Sequence, residues 1–148
     1  MTNTPTLTNT DRTSIGNGIT AVLTAYSATK PNRLRRVYPS HPFGVAQDLP
    51  CAWTDITESV KHDSGTRTRI FQATVVLIHK PSDNLETMAE LDATVDDLTE
   101  WFTANPQFMA VTMSSEWTVQ DTEEQVGDYL FPGVRFVFPT ITVMRGRV

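Results

Sequence analysis

The stretch from Arg67 to His79 constrains the fold more than any other part of the chain, because both of its alternating residue sets are largely apolar. In an extended strand, Phe71, Ala73, Val75 and Leu77 fall on one face and Ile70, Gln72, Thr74, Val76 and Ile78 on the other. Such a strand needs cover on both sides, so it predicts a sheet layered against other elements. A chain of 148 residues has the length of one domain and can bury a core without disulfide or metal staples. A hydrophobic fraction of 39% and a charged fraction of 20% fit a soluble globular protein.

Residues 1–10 alternate Thr and Asn with little that is apolar, which predicts a flexible arm ahead of a single domain over 11–148. Thr10 or Asp11 can cap a helix whose Ile15, Ile19, Val22, Leu23 and Tyr26 recur at helical spacing, and Lys30-Pro31 ends it. A short extended run, Leu34 to Tyr38, leads into a connector rich in proline. From Cys51 to Lys61, Ala52, Thr54 and Ile56 alternate with Trp53, Asp55 and Thr57, the pattern of a strand with one largely solvated face. Asp63-Ser64-Gly65 then reads as a hairpin turn back into the Arg67–His79 strand.

After Pro81, Asp83 and Glu86 form a capping-box-like start for a second helix, in which Leu85, Met88, Leu91, Val95, Leu98 and Phe102 make an apolar stripe. Asn105-Pro106 stops that helix. Phe108 to Val119 alternates again, with Met109, Val111, Met113, Trp117 and Val119 on one side. The segment Gln120 to Asp128 reads as a long acidic loop, and Val134 to Met144 as the last strand, with Phe136 and Phe138 on one face and Val137, Ile141 and Val143 on the other. The predicted class is α+β: an antiparallel or mixed β-sheet with two main helices packed on it.

Charge is segregated along the chain. Residues 1–80 carry nine bases and five acids, residues 81–134 carry twelve acids and no Lys or Arg, and the last fourteen residues carry three arginines and no acid, which sums to the net −5. A solvated acidic face is the simpler reading. The sharper one is a subunit with complementary poles, which favours head-to-tail contacts. The densest basic cluster is Arg33, Arg35 and Arg36, and the acidic helix offers Glu90, Asp96, Asp97 and Glu100. These groups are expected to meet between adjacent subunits, with apolar support from Val137 and Ile141.

Chemistry-bearing motifs are absent from the sequence. His41, His62 and His79 are not spaced from one another, from Cys51 or from a helical Glu as zinc ligands are. No G-x-S-x-G elbow, P-loop or G-x-G-x-x-G occurs, and the lone Cys51 beside Trp53 reads as core packing. The expectation is therefore no catalytic residue, no metal and no cofactor, with neither a leader peptide nor a membrane span.

The layout resembles the tail terminator, or head-proximal tail completion, proteins of long-tailed bacteriophages. The features that carry the likeness are the amphipathic first helix ending near Tyr26 and the Leu49-Pro50-Cys51-Ala52-Trp53 step into a strand. To these are added the Asp63-Ser64-Gly65 hairpin, the Leu91-Asp92 helix ending in Trp101-Phe102-Thr103-Ala104-Asn105, and a terminal hairpin with strand Phe131 to Met144. The resemblance implies a homo-oligomeric ring, usually a hexamer, that caps the finished tail tube and halts its polymerisation. It implies as partners the tail tube protein and a head-tail connector or neck protein, with DNA passing through the ring without sequence-specific binding. It places the protein in the virion after synthesis in the host cytoplasm. Competing readings are a head completion or neck connector protein of the same virion, a small enzyme using carboxylates of residues 83–100, and a ligand-binding α+β module.

Overall fold

The computed structural model describes residues 11–42, 44, 48–58, 68–80, 85–105, 107–108, 111–113 and 117–144. The 1–10 arm, the Asp63-Ser64-Gly65 turn and the Asp83 cap lie outside these residues. Helix α1 (Asp11–Thr29) is followed by β1 (Arg36–Val37), β2 (Cys51–Glu58) and β3 (Thr68–Ile78), then helix α2 (Leu85–Ala104). The chain closes with β4 (Gln107–Phe108), β5 (Val111–Met113), β6 (Thr118–Val126) and β7 (Tyr129–Met144). Among the described residues these form one open mixed sheet in the order β1-β2-β3-β7-β5-β4, with β6 also on β7. The β1–β2 pair is parallel and the others are antiparallel. The class is thus α+β, with both helices on one face of the sheet.

That face holds the larger core. Ile15, Ile19, Leu23 and Tyr26 of α1 and Leu98 and Phe102 of α2 pack on Ala52, Phe71, Ala73, Val75 and Leu77, and on Phe136, Phe138 and Ile141 of β7. Phe102 meets the rings of Phe136 and Phe138 edge-on at 5.5 and 5.2 Å. The helices are also tied to each other, since the Trp101 indole N–H donates to the Val22 carbonyl at 3.0 Å and its ring meets Tyr26 at 5.7 Å. The predicted stripe of α2 thins toward its start: Leu98 and Phe102 are buried, Leu91 and Val95 half-buried, and Met88 is 58% exposed.

A second core lies on the opposite face and corrects the expectation of a largely solvated side to the Cys51 strand. Cys51 and Trp53 are buried there with Val76, Ile78, Val126 and Phe131, because the β6–β7 hairpin curls over them. Along β2 that face becomes exposed farther on, at Asp55 and Thr57. The continuous Phe108–Val119 strand is likewise replaced by β4, β5 and the start of β6, and Val119 is exposed.

The acidic segment expected to be a loop is the strand β6. It pairs with β7 from Thr118 opposite Val137 to Val126 opposite Tyr129, around a two-residue turn at Gly127-Asp128. Gly127 has φ of 61°, as the first central position of a type II′ turn demands, and a Cβ there would strike the Gly44 carbonyl oxygen. The reason carboxylates are tolerated in a strand is local. Glu124, buried on the second face, accepts a two-armed hydrogen bond from the Arg135 guanidinium, one arm at 3.0 Å, and another from the Thr122 hydroxyl at 3.1 Å. Burial alone would raise the Glu124 pKa, yet these donors hold it below the ordinary value.

Ile141 also departs from expectation. Between the pairs Ala73–Phe138 and Phe71–Ile141, β7 carries one more residue than β3, a bulge that includes Pro139. The extra residue reverses the alternation, so Ile141 returns to the helix-covered face with Phe136 and Phe138 and is fully buried.

Removing Arg135 while keeping Glu124 strands a carboxylate in an apolar setting. Arg135→Leu is expected to destabilise the fold by about 1–3 kcal/mol in urea unfolding, and Glu124→Leu with Arg135→Leu to recover most of that loss. A double variant as unstable as the single one would mean that the pair does not hold β6 in place.

Candidate functional site

The residues singled out in the sequence do not converge on one site. Lys30, just beyond α1, and Arg33 both reach Asp97 of α2, at 2.7 and 3.0 Å, and the Tyr26 hydroxyl donates to the same carboxylate at 3.2 Å. Lys30 and Arg33 hold the Asp97 carboxyl below the usual carboxylate range, while burial and Asp97 raise the Tyr26 phenol. The expected contact between Arg33 and the acidic helix is therefore made within one chain, because α1 and α2 lie side by side. Arg36 stacks on the Tyr38 ring at 4.7 Å and approaches Asp48 at 3.5 Å. Arg35, Asp96 and Glu100 are exposed, Val137 is half-buried between Thr74 and Thr118, and buried Ile141 is unavailable to a partner.

Two adjoining cavities, of about 360 and about 380 Å³, open between the α1–β1 connector and α2, sharing Asn32, His79 and Glu90. Arg33, Arg35 and Lys80 contribute positive charge to this cleft, and Ala89, Ala93 and Pro50 contribute apolar wall. His79, at the end of β3, is only 4% exposed. Its Nδ1 accepts the Lys80 backbone N–H at 2.8 Å, which leaves the ring proton on Nε2, 3.6 Å from a Glu90 carboxylate oxygen. Sequence spacing could not reveal this cleft, because its members come from four separate segments of the chain.

The opposite flank of α2 carries the other sign. A broader groove of about 610 Å³ runs between Met88, Leu91 and Asp92 of α2 and Asp121, Thr122 and Glu123 of β6, and among the described residues no Lys or Arg lines it. Beyond it the β6–β7 turn ends in Tyr129 and Leu130, 68% and 58% exposed. The Gly127-Asp128 step between two alternating runs is a short-range hairpin signal, masked in the sequence by the density of acids around it. Among the described residues, no three His, Cys, Asp or Glu side chains converge as metal ligands would. What the arrangement offers chemically is a donor-rich basic cleft, an acid-lined groove and an apolar tip.

Burial pushes His79 below the ordinary histidine value, with Glu90 acting in the opposite sense. The unfolded chain thus binds a proton that the folded chain resists. This contribution to stability is fully present above the unfolded value of about 6.5 and is lost as pH falls from there toward the depressed folded value. The urea midpoint should decline over that window, and His79→Gln should flatten the decline. An identical pH profile in His79→Gln would remove His79 as its source.

No protein-family model matches the chain, and neither does any curated protein.

Proposed function

We propose that the chain is a structural virion subunit. It forms a ring that caps the head-proximal end of a phage tail tube, stops tube polymerisation and joins the tail to the head connector. The observation that carries this reading is the charge on the two flanks of α2: Arg33, Arg35 and Lys80 beside one, Asp92, Asp121 and Glu123 beside the other. A subunit whose opposite flanks bear opposite signs favours contacts that run in one direction, and such contacts close into a ring when the rotation permits. Charge complementarity sets register and partner choice, whereas apolar surface such as Met88, Tyr129 and Leu130 supplies affinity. The layout of the sequence supports the same reading through its resemblance to tail terminator proteins.

The test is capping. Added to polymerising tail tube protein from the same virion, the purified chain should arrest elongation and appear in electron micrographs as added density at one end only. Arrest should weaken as salt is raised through about 0.15–1 M, where exposed charges are screened within ~3–8 Å. Tubes that elongate unchanged at low salt, with no density at either end, would sink the proposal.

A further inference from the structure

We infer that the tip of the β6–β7 hairpin is a knob that seats in the basic cleft beside α2 of a second copy of the chain. This rests on the ring reading above, because it requires a contact that repeats in one direction. Tyr129 and Leu130 are two of the most exposed large apolar side chains among the described residues, and as consecutive residues of β7 at the end of a hairpin they project from its two opposite faces. That hairpin is anchored from below. Val126 and Phe131 are buried against Trp53 and Cys51, and the Tyr129 ring lies 6.3 Å from Phe131. The tip is therefore presented on a fixed base, which lowers the entropy lost when it docks.

The cleft matches the tip in size and in chemistry. Each of its two cavities, about 360 and about 380 Å³, has room for a large side chain, with Ala89, Ala93 and Pro50 as apolar walls. Asn32, Arg33, Arg35, Lys80 and the His79 Nε2–H supply donors around them, against one carboxylate among the described residues, Glu90. The hairpin brings acceptors: the Tyr129 hydroxyl, the exposed Asp128 in the turn, and the exposed Asp121 and Glu123 along β6. A chain does not fill its own cleft with its own tip, since Tyr129 and Leu130 are exposed and the hairpin folds over the face of the sheet opposite α2. Knob and hole are different surfaces of one molecule, so their contact is heterologous and each copy can both give a tip and receive one. The tip acts as the central anchor of such an interface, with the acidic strand and the basic rim around it.

Complementation between two crippled variants tests this. Tyr129→Ser with Leu130→Ser removes the knob and leaves the cleft. Ala89→Trp, at an exposed helical position, fills the cleft and leaves the knob. Mass in solution is read by light scattering at low salt, with circular dichroism confirming that each variant is folded. The wild-type chain should associate beyond a dimer, and each variant alone should be monomeric. Their equimolar mixture should form a 1:1 dimer that grows no further, because only one productive contact is left. If Ala89→Trp unfolds, Arg35→Glu with Lys80→Glu, both at exposed positions, replaces it in the same mixture. Variants that associate like the wild type, a mixture that stays monomeric or grows past a dimer, or a wild-type chain that is itself monomeric would each overturn the tip-in-cleft contact. None of these outcomes decides the ring reading, which stands or falls on tube capping.

Discussion

Ten paired positions join β3 to β7, from Thr68 opposite Met144 to Ile78 opposite Gly133, and this ladder is the element on which the other parts are laid. It presents apolar residues on both faces, so neither face can be left to water. The helices cover one side and the β6–β7 hairpin curls back over part of the other. Close approach is needed at its lower end, where a Cβ on Gly133 would collide with the Leu77 carbonyl oxygen. The bulge at Pro139 serves the same requirement at the other end, keeping Ile141 in register with the helix-covered core.

From this two-sided burial the electrostatics follow. Once α2 is held on the sheet by Leu98 and Phe102, its remaining positions are distributed between the α1–β1 connector on one side and β6 on the other. The three partners of Asp97 fasten the first flank, since Lys30, Arg33 and Tyr26 all reach its carboxylate. Exposed pairs of this kind are each worth only about 0–1 kcal/mol, so they orient the helix more than they stabilise it. On the second flank Asp92, Asp121 and Glu123 have no basic neighbour lining their groove among the described residues. The asymmetry between flanks is a by-product of how the sheet is covered.

The parts of this design that could be read from sequence are those whose pattern is local. Period-two alternation located β2 and β3, and the stripe through Leu91, Leu98 and Phe102 located α2, because burial imprints a short repeat on the chain. Whatever depends on pairing between distant segments was hidden. The acids of β6 look solvated until Arg135, eleven residues from Glu124, is seen to reach along the ladder to it. Strict alternation placed Ile141 on the wrong face because a bulge shifts phase without a decisive residue signal. The core packing of Cys51 and Trp53 was legible, but the strand as a whole read as having a largely solvated face because the hairpin that packs there lies some seventy residues further on. The basic cluster was visible, but its partner Asp97 in the same chain was not, since helix adjacency is a property of packing.

Cys51 lies under the β6–β7 hairpin, and burial pushes its thiol up to about 12, with Arg36 and Asp48 acting in opposite senses. The thiolate is the form that reacts with alkylating and oxidising agents, so burial protects this thiol in the folded chain at neutral pH. As the only cysteine in 148 residues, it gives the natural protein a built-in clock. Modification of Cys51 waits on an opening of its cover, to which Tyr38 and Leu49 belong as well as the end of the hairpin, and the rate of that reaction reports the free energy of the opening.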